Sequence, residues 1–444
     1  MQDLTTGSLT GHLLKTTSFM LVSMIFQTLY ILVDLFWVGR LGTDAVAAVG
    51  LAGNLSFIVL AITQMLGVGA TTLVSHASGR KDQDQAIFLF NQSQVLSMVV
   101  AIVFLLIAML TRHQYAASQA ASEGMRIATE DYLLWFIPAM ALQFAMVAMG
   151  AALRGTGNFR PGMIVQTATV VINMVLAPFL IFGWGPFPVW GVTGAAVSTL
   201  VAIVIGLVWL AFYFIDAKAY LRFHVGHWSP QLKVWWEMLK IGLPAGMEFA
   251  LMGVYLAVVY AITKPFGAAA QGGFTIGLRV VQSAFLPVVA LGFAVAPVAG
   301  QNFAARKTDR VRAAFKAAAS MAAGAMVLAG VVLYVWASPI MGIFTTDAEV
   351  IRVGVEYLRI VVLTFVASGV TFVVSSMFQA LGNTLPSLLT SGLRLVLSVT
   401  PAVVLSRTAG FHLTWIWYIG VIAVFTQMTV GLLMLQREFR LKLA

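Results

Sequence analysis

The feature that most restricts the fold of this sequence is a succession of long apolar segments separated by short polar connections. A helix needs about 20 apolar residues to cross a hydrocarbon core of ~30 Å, and only helices or closed barrels satisfy the backbone there. Charged residues make up 9% of the chain, too few to cover a soluble globule. The sequence predicts an all-α integral membrane protein with twelve transmembrane helices, near residues 13–38, 51–75, 90–111, 131–153, 162–182, 191–215, 236–262, 273–298, 315–337, 355–380, 388–407 and 413–436.

Lys and Arg residues are concentrated in alternate connections, on the side that carries the amino terminus. Short connections rich in Lys and Arg stay in the cytoplasm. We therefore predict that both termini are cytoplasmic. No basic run is long enough to suggest a nucleic-acid partner, and the absence of Cys excludes disulfides and thiolate metal sites.

The two halves of the sequence repeat each other at one constant offset of 225 residues. The matching pairs include Gly42 and Gly267, Gly67 and Gly292, Asp131-Tyr132 and Glu356-Tyr357, Gly157-Asn158 and Gly382-Asn383, and Pro161 and Pro386. Six helices per repeat give both copies the same orientation, so we expect two six-helix lobes related by a pseudo-two-fold axis along the membrane normal. We assign residues 1–215 to the amino-terminal lobe, 216–237 to a cytoplasmic linker and 238–444 to the carboxyl-terminal lobe.

A polar stripe lies on one face of the first apolar segment. Ser23, Gln27, Tyr30 and Asp34 are spaced 4, 3 and 4 residues apart, which stacks them along a helix. A carboxylate at this depth costs several kcal/mol and usually faces a cavity or a partner. We interpret the stripe as the wall of a water-filled cavity that handles cations or protons. The alternative is a buried acid held by local hydrogen bonds for packing alone.

Short Gly-rich and polar motifs lie along both halves of the chain. In the first half they are the stretch from Asp34 to Gly50, Leu153-Arg-Gly-Thr-Gly-Asn158 with Pro161, and residues 191–199. In the second half they are residues 240–246, 299–302 and 379–384. Each motif alone is weak, but together they cover nearly the whole chain and resemble those of the multidrug and toxic compound extrusion (MATE) family, in its DNA-damage-inducible, DinF-like branch.

The resemblance implies a secondary active transporter of the bacterial inner membrane, not an enzyme, which exports cationic and amphipathic compounds in exchange for protons or sodium ions. Its expected partners are small-molecule drugs, organic cations and the lipid bilayer; we expect a monomer and no cofactor or metal besides the coupling ion. Its coupling residues match Asp34, Tyr30, Asn173 and Thr199. Ser198 is the alternative to Thr199, and we assign substrate binding to Asp34, Gln27, Tyr30 and Ser198.

Two departures from the family pattern bear on the coupling ion. Ala177 stands where many relatives have a second Asp, and Phe19 stands where some have a Pro. Without the second acid the site holds Na⁺ poorly, so we favour protons over sodium ions, and bending of the first helix is in doubt. A sodium-coupled exporter, or a lipid or metabolite flippase of related fold, stays open.

The second half has charges of its own within apolar segments, among them Arg394 in the eleventh segment. Glu248 is in the seventh segment and Arg279 in the eighth. They either form a structural ion pair or line part of a cavity in the carboxyl-terminal lobe. Val259 stands at the position equivalent to Asp34, so we place ion coupling in the first half.

Overall fold

The structure, a computed structural model, describes residues 1–120, 122–216 and 219–443. Within these ranges twelve helical segments are long and apolar enough to cross a membrane, so the predicted all-α, twelve-span fold is confirmed. The α-helices are α1 Leu9–Gly39, α2 Thr43–Gly79, α3 Gln83–Gln119, α4 Glu123–Gly155, α5 Arg160–Phe182, α6 Gly191–Ile215, α7 Leu232–Thr263, α8 Ala268–Ala304, α9 Thr308–Val335, α10 Ala337–Phe344, α11 Ala348–Val361, α12 Phe365–Ala380, α13 Leu385–Leu405 and α14 Thr414–Lys442.

The tenth span is interrupted, which the sequence did not predict. It consists of α11 and α12 joined by a 3₁₀ turn at Val362–Thr364. The Thr364 hydroxyl donates to the carbonyl of Val361 at 2.7 Å, a back-bond of the kind that bends helices. The short helix α10, with 8 residues, precedes this span and is too short to cross a bilayer.

The backbone repeats at the offset that the sequence predicts. Helices α2 and α8 both have 37 residues, and each begins after a glycine with positive φ, 108° at Gly42 and 88° at Gly267. Glycine suits these positions because side chains disfavour positive φ. Both helices also end near a non-glycine residue in the left-handed region, Lys81 with φ 60° and Arg306 with φ 56°.

The chain divides into two compact units, which we call unit 1 and unit 2. Unit 1 comprises Met1–Asp3 and Ser18–Gly246, and unit 2 comprises Leu4–Thr17 and Met247–Ala444. The start of α1 therefore packs with the second half, and the start of α7 packs with the first half. The assignment of residues 1–215 and 238–444 to two lobes stays a prediction.

In unit 1, two buried amides of α3 hold the segment that precedes α7. The Asn91 Oδ1 accepts from the backbone N–H of His224 at 3.0 Å and from the Trp228 indole at 2.9 Å. The Gln92 amide donates to two backbone carbonyls and accepts from the Gln231 N–H and the Trp235 indole. Much of the predicted linker 216–237 is therefore fixed to unit 1, and α7 begins within it at Leu232; residues 217 and 218 lie outside the described residues.

In unit 2, the end of α8 holds the amino-terminal segment. The Leu4 N–H donates to Gln301 Oε1 at 3.0 Å, and the Asn302 amide donates to the Leu4 carbonyl at 3.0 Å. The Lys307 ammonium donates to the Thr5 carbonyl at 2.8 Å. Hydrogen bonds between the backbone of this segment and the side chains of Gln301, Asn302 and Lys307 therefore hold it within unit 2, and the hydropathy pattern does not reveal them.

Candidate functional site

Asp34 lies on the buried face of α1 within unit 1. Its exposed fraction is 9%, and Val38, one turn further along, is fully buried. Leu32 and Phe36 are more than half exposed, so they mark the opposite face of the helix. The carboxyl group therefore faces the interior of unit 1 and not the surrounding lipid, as the sequence predicts for a functional acid.

The carboxyl group of Asp34 has no counter-charge within the part of the chain that the structure describes. No Lys or Arg among the described residues forms an ion pair with it. Its Oδ1 atom is buried and has no hydrogen-bond partner there. A buried acceptor without a partner costs about 1–3 kcal/mol, and more when it is charged. The position thus favours either a proton on the carboxyl group or a cation beside it.

A hydrogen-bond network joins three helices of unit 1 near this acid. The Asn173 amide on α5 donates to the Thr199 hydroxyl on α6 at 2.9 Å. The Tyr30 hydroxyl on α1 lies 3.4 Å from the same Thr199 oxygen. Tyr30 and Asp34 are close enough to interact electrostatically. The structure therefore brings together the four predicted coupling residues.

Asn173 offers a second unsatisfied oxygen in this network. Its exposed fraction is 4%, and its Oδ1 has no hydrogen-bond partner among the described residues. Thr199 also donates to the Ala195 carbonyl at 3.1 Å, so its hydroxyl proton is used within α6. The Asn173 and Asp34 oxygens are both acceptors, and both can receive a bond from a protonated or donating ligand.

The remaining predicted residues of the first half are placed differently. The Ser198 hydroxyl is fully buried and donates to the Ala195 carbonyl at 2.8 Å, within its own helix. Gln27 is exposed although it lies on the Tyr30 side of α1. Ser23 is buried and donates to the carbonyl of Phe19 at 3.3 Å. Of the two neighbouring hydroxyls on α6, it is therefore Thr199 that contacts Tyr30 and Asn173.

Tyr132 on α4 is a site residue that sequence reasoning missed. Only 2% of its surface is exposed, and it interacts electrostatically with both Asp34 and Tyr30. It packs in an apolar cluster with Val38 and Ala177. The signal was present, because Tyr132 is one of the residues that recur in the second half, as Tyr357.

In unit 2, Glu248 on α7 contacts hydroxyls instead of a base. The Ser375 hydroxyl donates to Glu248 Oε2 at 3.4 Å and lies 2.5 Å from the Ser387 hydroxyl. Arg279 is exposed, and among the described residues it forms no ion pair with Glu248. The structural ion pair considered for Glu248 and Arg279 is therefore not formed. Glu248 Oε1 is buried and has no hydrogen-bond partner among the described residues.

A separate cavity of about 780 Å³ lies in unit 2 around α10 and α11. Its lining includes Arg352, Glu356, Arg359 and Tyr418. None of the predicted site residues lines it.

The profile of the MatE family matches residues 20–179 and 244–404, one stretch in each half. A multidrug export protein of Staphylococcus haemolyticus is 27% identical over 368 residues, covering 82% of this chain and 80% of that protein. A probable multidrug resistance protein of Bacillus subtilis is 25% identical over 405 residues, covering 90% and 87%. A FAD transporter of Shewanella oneidensis is 25% identical over 372 residues, covering 83% and 82%.

Solved structures show the same fold. A transporter of the MOP superfamily from Pyrococcus furiosus superposes with a TM-score of 0.91 at 22% identity, covering 99% of this chain and 97% of that chain. A MATE protein crystallised in a bent conformation superposes with a TM-score of 0.92 at 22% identity, covering 98% and 97%. At this identity the superpositions establish the fold alone.

Proposed function

Because this chain belongs to the MatE family, we propose that it is a secondary active antiporter that exports cationic and amphipathic compounds in exchange for protons. Members of the family are transporters and not enzymes. Relatives named as multidrug export and multidrug resistance proteins support the substrate class. The observation that carries the proposal is the buried, unpaired carboxyl group of Asp34 beside the Tyr30–Thr199–Asn173 network.

The chemistry follows from one carboxyl group that holds either of two positive partners. An ionised Asp within a membrane helix costs about 3 kcal/mol on insertion scales. Binding a cationic compound or accepting a proton removes that cost, and the two events exclude each other. A proton arriving from the outside therefore displaces the compound, and a compound arriving from the inside displaces the proton.

The surroundings of Asp34 support protons over sodium ions as the coupling ion. Sodium ions prefer several oxygen ligands, and Ala177, one turn after Asn173 on α5, supplies none. A proton needs only the carboxyl oxygen itself. Sodium coupling is the alternative, and it would require the oxygens of Tyr30, Thr199 and Asn173 to complete the ligand set.

We further propose that the protein lies in the bacterial inner membrane with both termini in the cytoplasm. The distribution of Lys and Arg between alternate connections supports this orientation. A reporter that is active only in the cytoplasm tests this orientation. It should be active when fused at residue 1 and when fused at residue 444.

Efflux of ethidium from cells tests the transport function. Asp34→Asn should abolish efflux at an unchanged level of protein in the membrane. Asp84→Asn is the matched control, because Asp84 is an exposed acid at the start of α3 in the same unit, and it should transport as well as the unmodified protein. Full efflux by Asp34→Asn would refute the role of this carboxyl group.

The coupling ion is tested in the same cells. A proton uncoupler should stop efflux, and removal of external sodium should not. Efflux that survives the uncoupler and depends on external sodium would replace protons with sodium ions in the proposal.

A further inference from the structure

The second half repeats the aromatic part of the Asp34 site without its acid. At the offset of 225 residues, Tyr30 corresponds to Tyr255, and Asp34 corresponds to Val259. Tyr132 corresponds to Tyr357, which is 6% exposed and interacts electrostatically with Tyr255. The tyrosine pair is therefore kept within unit 2, while the negative charge beside it is lost.

A positive charge has been gained beside the same tyrosine pair. The guanidinium of Arg394 on α13 lies 5.9 Å from the centroid of the Tyr255 ring. Arg394 also interacts electrostatically with Tyr357. The corresponding residue of the first half is the neutral Thr169. The two halves thus present opposite charges next to equivalent tyrosines.

The position of Arg394 on α13 faces the protein interior. Thr390 precedes it by four residues and Ser398 follows it by four, and both have an exposed fraction of 4%. Residues four apart share a helix face. Leu389 and Val396 are more than half exposed and mark the lipid-facing side. Arg394 is itself half-buried and lies on the same side of α13 as Thr390 and Ser398, within a membrane-spanning helix where a charge needs a partner.

No carboxylate supplies that partner among the described residues, since the ion pairs of unit 2 join Arg352 to Glu349 and Lys442 to Glu438. Glu248 is held instead by the hydroxyl of Ser375. A guanidinium carries five N–H donors and accepts no hydrogen bond. Arg394 is thus a partly buried donor group whose charge this part of the chain does not balance.

Two other polar groups of unit 2 lack hydrogen-bond partners among the described residues. The Ser398 hydroxyl, one turn from Arg394, is buried and has no hydrogen-bond partner among the described residues. The same holds for the indole N–H of Trp417, which is 4% exposed. The Trp417 and Tyr357 ring centroids are 4.8 Å apart. An indole N–H can only donate, so the Trp417 N–H needs an acceptor, while the Ser398 hydroxyl can donate or accept.

We propose that Arg394, with Tyr255 and Tyr357, forms a binding site in unit 2 for the phosphate or carboxylate group of an amphipathic ligand. The guanidinium fork matches either anion with two parallel hydrogen bonds. The aromatic rings of Tyr255 and Trp417 supply an apolar wall for the rest of the ligand. This site is separate from Asp34 and goes beyond export of cations, because it accepts compounds or lipids that carry a negative group.

Calorimetric titration of the purified full-length protein in phosphatidylcholine nanodiscs tests the site, with phenyl phosphate and benzoate as probes. The unmodified protein should bind either probe saturably. Arg394→Gln should weaken binding about tenfold to a hundredfold, because hydrogen bonds to a charged group are lost. Arg359→Gln is the matched control, because Arg359 also lies over a tyrosine ring, at 5.6 Å from that of Tyr334, but is exposed. It should bind like the unmodified protein.

A second set of nanodiscs, which contain phosphatidylglycerol, distinguishes a lipid headgroup from a soluble anion as the natural ligand. If a lipid headgroup occupies the site, phosphatidylglycerol should weaken phenyl phosphate binding to the unmodified protein and not to Arg394→Gln. If the ligand is a soluble anion, the two kinds of nanodisc should give equal affinities. Either result supports the site. Absence of saturable binding in both nanodiscs, or equal affinity in the unmodified protein and Arg394→Gln, would overturn it.

Two further measurements keep the test decisive. Arg394→Lys keeps the positive charge but loses the two-pronged guanidinium, so it should bind phenyl phosphate about threefold to tenfold more weakly. Unchanged affinity in Arg394→Lys would overturn the site even if Arg394→Gln fails to fold. Ethidium binding is measured in the same samples. If the unmodified protein binds ethidium but neither phenyl phosphate nor benzoate, the Arg394 site is refuted and the proposed cation site at Asp34 is not. The effect of Asp34→Asn on ethidium binding tests the cation site alone.

Discussion

Replacing Thr199 by Val tests whether the hydroxyl between Tyr30 and Asn173 organises the site around Asp34. Val has nearly the same shape as Thr, so the change removes one oxygen and little else. The Asn173 amide then loses its 2.9 Å bond and is left buried. Leaving one buried donor unsatisfied costs about 1–3 kcal/mol. The Tyr30 hydroxyl loses its 3.4 Å contact in the same step.

The neighbouring residue provides a sharp control for this change. Ser198 is buried one position earlier on α6 and donates only within its own helix. Ser198→Ala removes a hydroxyl from the same helix without touching Tyr30 or Asn173. Thr199→Ser keeps the oxygen that both partners contact. Both variants should therefore behave nearly like the unmodified protein.

Two assays separate stability from function in these variants. Thermal unfolding of the purified protein should show a lower midpoint for Thr199→Val than for Ser198→Ala. Ethidium efflux at equal membrane expression should fall about fivefold or more in Thr199→Val, the change that corresponds to about 1 kcal/mol. Equal losses in Thr199→Val and Ser198→Ala would refute the reasoning, as would a Thr199→Ser variant as damaged as Thr199→Val.

Two further predictions concern stability. Gln92→Leu removes four hydrogen bonds from one buried amide and should lower the free energy of unfolding by about 2–4 kcal/mol. Gln83→Leu is the control, because it removes one exposed hydrogen bond to the same segment and should cost little. Equal midpoints of the two variants in thermal unfolding would contradict this prediction. Gly242→Ala on α7 places a Cβ against the Met65 carbonyl oxygen of α2 and should cost about 1–3 kcal/mol or more through overpacking. Gly253→Ala on the same helix has open space around it and should be neutral or stabilising. A Gly242→Ala protein as stable as Gly253→Ala would contradict the close packing of α7 against α2.

The fold was predictable from the sequence because its determinants are local and repeated. Apolar segment length identifies each span, and a constant offset between Gly42 and Gly267 reveals the duplication. The break in the tenth span was not predictable, because Val362–Thr364 is as apolar as its surroundings and only the hydrogen bonds reveal the 3₁₀ turn. The packing of Leu4–Thr17 with the second half also escaped prediction, since it depends on backbone contacts far apart in sequence.

The candidate site was predictable only in part. Asp34, Tyr30, Asn173 and Thr199 were identified, and the structure brings them together. Tyr132 was missed although it recurs in the second half as Tyr357, because recurrence marks an equivalent position and does not place a residue beside Asp34.

In the second half, too, the sequence does not reveal which residues contact each other. The sequence shows Arg394 only as a charge within an apolar segment, because its contact with Tyr255 emerges from tertiary packing. The pairing of Glu248 with Arg279 was considered from charge alone. The structure shows instead that Ser375 contacts Glu248, so complementary charge in two helices does not identify the partner.

Proton release on ligand binding tests the central claim most directly. Purified protein in weakly buffered solution is mixed with ethidium, and a pH-sensitive dye reports protons that leave the protein. The unmodified protein and Asp84→Asn should release protons as ethidium binds, and Asp34→Asn should release none. Equal proton release by Asp34→Asn, or ethidium binding without any release by the unmodified protein, would contradict the account.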